Sequence, residues 1–257
     1  MKLLTQRVGL NKKEKPLKES IKKPKVYLVG AGPGEPELLT IKAYKLLQNA
    51  DVVLYDALVD ERILDLIPEG ALKIFVGKRK GLHSRSQQEI NELLYKYSKL
   101  YKKVVRLKGG DPFIFGRGGE ELLYLAQKGV DVEVVPGVSS FYSAPSLFGI
   151  PLTLRGVASS FAVLTAHKGK GEIDFSSLKG IDTLVFLMGV SKRKEIAQRL
   201  LEIGKDPKTG VAFISNAYRS NQKLVISTLE EVATNPPEVD TPAVIVVGRV
   251  INQIYGK

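Results

Sequence analysis

Strand-like and helix-like patterns alternate about five times between Lys25 and Val135, and this alternation constrains the fold more than any other feature of the 257-residue chain. Lys25-Val-Tyr-Leu-Val-Gly30 is a short apolar strand that enters a glycine turn, Ala31-Gly-Pro-Gly34. A helix over 41–49, capped by Thr40, leads to a strand from Asp51 to Tyr55, then a helical pattern over 60–67 and a strand over 73–76. Ser86-Gln-Gln-Glu89 is a capping box, and Ile90, Leu93, Leu94 and Tyr97 follow it at helical spacing. A strand through Val104, Val105 and Leu107, a helix over 117–128 closed by Gly129, and a strand from Val130 to Val135 complete this half. Such alternation requires a parallel sheet covered by helices on both faces. Ligands of these sheets bind beyond the carboxyl ends of the strands, and that edge gathers Gly30–Gly34, Asp56, Lys78 and Gly109–Asp111.

Pro136-Gly137 punctuates the chain, and a small-residue helix from Ser139 to Phe148 runs on to Pro151. The chain therefore divides into a basic, disordered tail at 1–24, an N-terminal α/β domain at 25–136 and a C-terminal α/β domain at 137–257. In the second half, strand signals at 161–165, 182–188, 210–215, 224–227 and 243–248 outnumber the helices, which read clearly only at 192–203 and 229–234. That imbalance predicts a mixed sheet with a hairpin around 211–227.

The net charge of +12 is uneven: residues 1–25 carry nine Lys/Arg against Glu14 and Glu19, or +7, and leave a mildly basic body. No apolar run approaches the ~18 residues of a membrane span, and the first 24 residues lack the apolar core of a secretory signal. A cytoplasmic protein without a membrane partner is expected. There is no cysteine, and the two histidines, His83 and His167, read as surface or turn residues, so no metal site is expected. Lys78, Arg79, Lys80, Arg85, Lys108, Arg117, Arg155 and Lys168 cluster around loops. Such a field at a cleft mouth steers a polyanionic small molecule inward. Aromatics do not interleave with these charges, which argues against a nucleic-acid partner.

The densest candidate stretch is Val104–Gly119, VVRLKGGDPFIFGRGG, where a strand feeds a loop of five glycines around Asp111-Pro112. Dense glycine means tight turns or a ligand lying against bare backbone. The first glycine turn is not a dinucleotide fingerprint, because its third glycine position falls on Glu35 and Pro33 lacks an N–H. Asp56 has the place of a general base or of the N-cap of a helix over 57–67. Lys78 is a proton donor, an anchor for an acidic substrate, or a solvated lysine. Asp111 either meets a ligand's polar groups or closes an Asx-turn. Met188, at the end of an apolar strand, either packs on a ligand's ring or belongs to the core.

Leu28-VGAGPGEPELLT-Ile41, Tyr55-Asp-Ala-Leu-Val59, Gly77-Lys-Arg79 with His83-Ser84, Val105-RLKGGDPFIFGRGGEE-Leu122, Val135-PGVSS-Phe141 and Gly149-IPLT-Leu154 stand in this order along the chain. Together they resemble the uroporphyrinogen-III C-methyltransferases of the S-adenosylmethionine-dependent tetrapyrrole methylase family, over about residues 25–250. They are similar also to the methyltransferase half of bifunctional sirohaem synthases, without the dehydrogenase and chelatase module. The resemblance implies the class III methyltransferase fold, with the active site in a cleft between two α/β domains, a homodimer, and S-adenosyl-L-methionine as methyl donor, leaving S-adenosyl-L-homocysteine. It implies two methylations of uroporphyrinogen III, at carbons 2 and 7, giving precorrin-2 for sirohaem or cobalamin biosynthesis. It places the proton acceptor on Asp56 and the donor on Lys78. It puts the cofactor on Pro33, Gly109, Gly110, Asp111, Ile114, Ser139, Ser140, Met188 and Ala217. Arg79, Arg117 and Arg155 are expected to hold the substrate's carboxylates by charge-assisted pairs. The chain departs from the family pattern at Glu35, usually aspartate, and at Leu154, often histidine. The competing readings are another corrin-ring methyltransferase of the same fold and a non-catalytic polyanion-binding protein.

Overall fold

The structure, a computed structural model, describes residues 26–77, 85–166 and 173–256. Strands β1 (Val26–Gly30), β2 (Val52–Tyr55), β3 (Leu72–Phe75), β4 (Val104–Lys108) and β5 (Val132–Val135) form one sheet in the order β3-β2-β4-β1-β5. Its pairings are parallel, with Val104 level with both Val26 and Val52. Successive side chains of a strand point to opposite faces. Tyr27, Val29, Val53, Val105 and Leu107 pack on one face with Ala43 and Leu47 of α1 (Ile41–Leu47) and Ile63 of α2 (Glu61–Leu64). Val26, Leu28, Val52, Leu54 and Val104 pack on the other with Ile90 and Leu94 of α3 (Gln87–Leu100) and Leu125 of α4 (Gly118–Gln127). Burial on both faces is why β1 and β2 read as unbroken apolar runs.

The local signals act as their chemistry requires. Thr40 accepts the Ala43 N–H at 3.1 Å, and the Ser86–Glu89 capping box closes in both directions. α2 is shorter than the pattern at 60–67. Asp60, accepting from the Arg62 N–H at 3.1 Å, starts it, and the chain turns at Asp65–Leu66 ahead of Pro68, before which helical backbone is disfavoured.

β6 (Phe161–Thr165), β7 (Thr183–Leu187), β8 (Gly210–Ser215), β9 (Lys223–Thr228) and β10 (Ala243–Gly248) form the second sheet, ordered β6-β7-β10-β8-β9. β6 and β7 are parallel and the other pairings antiparallel, so the sheet is mixed, with β8 and β9 as the expected hairpin. Phe186, Phe213 and Ile245 face Ile196 and Leu200 of α6 (Arg193–Glu202) and Val232 of α7 (Leu229–Thr234). Val185, Ala212 and Val246 face Ala144 of α5 (Ser140–Leu147) and Val250 and Ile251 of α8 (Arg249–Tyr255). α8 was not foreseen: seven residues with one buried apolar pair carry little periodicity.

Loops of the two sheets clasp each other. The Arg62 guanidinium donates to the carbonyls of Gly34 at 3.1 Å and Tyr218 at 2.8 Å, and Arg219 donates to that of Leu58 at 3.0 Å. Within the second half, the Tyr218 hydroxyl donates to the Ser143 carbonyl of α5 at 2.9 Å.

Candidate active site

The carboxyl ends of β1 and β4 carry the two glycine turns, and these are zipped together. Ala31 N–H donates to the Lys108 carbonyl at 2.7 Å, and Gly32 and Gly110 exchange N–H···O bonds of 3.1 and 2.8 Å. A Cβ on Gly137 would stand 2.3 Å from the Gly110 oxygen and 2.7 Å from Gly30 Cα, and one on Gly109 would stand 2.5 Å from Leu58 Cβ. Glycine at 30, 109 and 137 therefore serves chain-on-chain packing. Gly110, at φ +69°, has open space where a Cβ would be and faces the cleft.

That cleft, of about 850 Å³, lies between the two sheets and has the size of a small-molecule site. Pro33, Gly109, Gly110, Asp111 and Ile114 line it from the first sheet. Ser139 and Ser140 enter at the start of α5, Met188 after β7 and Ala217 after β8. The structure thus brings together every cofactor residue expected from the sequence. Met188 is 48% exposed, so it is not a core methionine. It and Asn216, also in the lining, adopt left-handed backbone at φ 55° and 49°. Asparagine tolerates that conformation, but it costs a residue such as Met188 roughly 1–2 kcal/mol, and such strain concentrates at ligand clamps.

Asp56 follows β2 and lines the cleft, but it caps no helix; the cap of α2 is Asp60. Its Oδ1 accepts the Leu58 N–H at 3.1 Å and its Oδ2 accepts from Arg106 Nη2 at 3.3 Å. Asp111 does close an Asx-turn, accepting the Phe113 N–H at 2.8 Å, while its other oxygen accepts the Gly137 N–H at 3.0 Å and pins the link between the sheets. Arg117 lines the cleft and binds Glu120 through two bonds of 2.8 and 2.7 Å, which lower the Glu120 carboxyl below its usual range. Arg155 is exposed on the turn closed by the Leu154–Ala158 bridge and is not in the cleft lining. Lys78, Arg79, Lys80, His83, His167, Lys168 and the tail at 1–24 lie outside the described residues.

Lys108 corrects an expectation. It belongs to no basic loop; it is 4% exposed at the end of β4, and Nζ donates to Glu121 Oε1 at 3.2 Å. Burial, followed by the neighbouring Arg106, pushes its ammonium below the usual lysine range, against the pull of Glu121. Arg106 and Glu121 themselves went unrecognised. The sequence signal of Arg106 is a pair of charges two positions apart in an apolar strand, Arg106 and Lys108, which puts both cations on one buried face. Among the described residues no group of three or more His, Asp or Glu side chains is placed to hold a metal ion, and no helix is long and apolar enough to cross a membrane.

The family model of tetrapyrrole (corrin/porphyrin) methylases matches residues 25–233. The chain belongs to this family. Among tetrapyrrole methylases, a uroporphyrinogen-III C-methyltransferase of Methanocaldococcus jannaschii is 46% identical over 235 residues, 89% of this chain and 97% of that one. A siroheme synthase of Cronobacter sakazakii is 45% identical over 228 residues, 88% of this chain and 50% of that one. A crystal structure of a uroporphyrin-III C-methyl transferase from Thermus thermophilus, complexed with S-adenyl homocysteine, is 47% identical, covers 89% of this chain and 94% of its own, and superposes with a TM-score of 0.79. The tetrapyrrole methylase fold is therefore that of this chain.

Proposed function

We propose that the chain is an S-adenosyl-L-methionine-dependent C-methyltransferase that adds two methyl groups to uroporphyrinogen III, at carbons 2 and 7, and releases precorrin-2 toward sirohaem or cobalamin-type corrinoids. The observation that carries this reading is the cleft, which is lined by the nine residues that the family pattern assigns to the cofactor. The lining also fits S-adenosylmethionine chemically. Ile114, Met188 and Ala217 offer apolar surface to an adenine ring, Ser139 and Ser140 bring hydroxyls, and Asp56 and Asp111 bring negative charge toward a cationic ligand. When bound, the cofactor supplies a methyl group activated on a sulfonium. An electron-rich pyrrole carbon takes that group, and the ring must then lose a proton.

Asp56 is the group to accept it. Its carboxylate stands at the strand edge with 22% of the side chain exposed, so it reaches both the cleft and solvent. Lys78 is assigned as proton donor. Arg79, Arg117 and Arg155 are assigned to the substrate's carboxylates, and Arg85, which lines the cleft with Arg117, is placed to join them. The reading includes a cytoplasmic homodimer with domains at 25–136 and 137–257, and no nucleic-acid or membrane partner. Asp56→Asn is expected to lower turnover about 10²-fold while calorimetry shows S-adenosylhomocysteine binding retained. Turnover equal to the parent protein's would remove Asp56 from the reaction.

A further inference from the structure

Arg106 occupies a position where structure alone would choose a hydrocarbon. It is 3% exposed, in the middle of the first sheet, in register with Leu28 of β1 and Leu54 of β2. It shares its face with the apolar contacts to α3 and α4. A buried ion pair seldom stabilises a fold more than the apolar residues that would replace it.

Its bonds show what it holds. Nε donates to Glu121 Oε1 at 3.1 Å, and Nη1 donates to the carbonyls of Leu107 at 2.9 Å and Leu54 at 3.5 Å. Nη2 donates to Asp56 Oδ2 at 3.3 Å. Glu121 is fully buried, and the same Oε1 also accepts from Lys108 Nζ and Gln87 Nε2, each at 3.2 Å. Two cations and two carboxylates thus meet beneath the cleft, and the guanidinium fork links the buried carboxylate to the one at the cleft wall. With Leu58 N–H on the other oxygen, Asp56 is fixed at both ends while each oxygen keeps a further acceptor site.

We propose that Arg106, anchored by Glu121, is a positioning residue that holds Asp56 in the orientation from which it takes the proton of the methylated ring. The inference rests on the assignment of Asp56 as base. In that step a C–H bond of the methylene bridge beside the methylated pyrrole breaks, its electron pair neutralises the cationic pyrrole, and the proton bonds to a carboxylate oxygen of Asp56.

A double-mutant cycle tests it, since residues acting as one unit are strongly non-additive. Arg106→Met, similar in length and uncharged, is expected to lower kcat by about 10-fold or more. The KM for uroporphyrinogen III and the affinity for S-adenosylhomocysteine should stay within about twofold. Added to Asp56→Asn, it should lower turnover no further than about twofold. Arg106→Lys, which keeps the charge without the fork, should fall between Met and the parent. Circular dichroism and the calorimetric titration check that each variant folds, and Arg106→Gln replaces Arg106→Met under the same criteria if the latter does not. Parent-like kcat in the Arg106 variant overturns the proposal, and so does an equal loss in the Asp56→Asn background, which would mean the two residues act independently. Parent-like turnover in Asp56→Asn alone is a different failure, read before any Arg106 comparison, and it overturns the base assignment together with the inference.

Discussion

Gly137 is the residue on which the cleft's geometry is pinned. Three segments meet there, and Asp111 accepts its N–H at 3.0 Å. A methyl group at this position would stand 2.3 Å from the Gly110 oxygen, so Gly137→Ala must separate the first glycine loops from the linker. Overpacking of this kind costs about 1–3 kcal/mol. A loss of that size in denaturant unfolding is expected, with S-adenosylhomocysteine affinity down about tenfold or more; parent-like values in both would mean that the contact is not tight. In the sequence Gly137 reads only as punctuation, because what demands glycine there is two backbones that arrive from residues 30 and 110. Arg106 went unread although it is a charge inside an apolar strand, because its partners lie 15 and 50 positions away and no local spacing reveals them. Asp56 was legible by place, and its competing N-cap role fell to Asp60, four residues on.

Elements were more legible than single contacts wherever a cap and a period coincided. α3 has both, with its capping box and the buried Ile90 and Leu94. α8 has neither length nor a side-chain cap, and tertiary packing of Val250 and Ile251 holds it. At the other end of the second sheet, Asp182 ties the entry of β6 to that of β7. Its Oδ2 accepts the N–H groups of Ser159 at 2.8 Å and Ser160 at 3.0 Å and both hydroxyls. These donors, the Ser159 N–H foremost, hold its carboxyl down to about 2 from an ordinary value of 3.8. A carboxyl depressed in the folded state adds stability that is complete above its unfolded pKa and is lost as pH falls through the folded one. The stability difference between the parent and Asp182→Asn should therefore be constant above about pH 5 and shrink between about pH 4 and pH 2, as followed by thermal unfolding. A difference independent of pH would show that the charge on Asp182 contributes nothing.

At the scale of the whole molecule, the site is made where two sheets with different strand directions face each other. The edge rule for parallel sheets located its first wall, Gly32 to Asp111, from the sequence. No comparable rule covers a mixed sheet, so Ala217 was reached through family resemblance alone, and Met188 was legible only as one of two readings at the end of a strand. The clasp of Arg62 and Arg219 on loops of the opposite sheet keeps the two walls in register. A cleft so built, lined by the carboxylates of Asp56 and Asp111 and by Arg85 and Arg117, carries charge of both signs. The direct test is to incubate the protein with uroporphyrinogen III and methyl-labelled S-adenosylmethionine and to count the label carried by the tetrapyrrole product. Two methyl groups per ring, matched by two equivalents of S-adenosylhomocysteine, are expected; a product with one methyl group or none contradicts the proposed reaction.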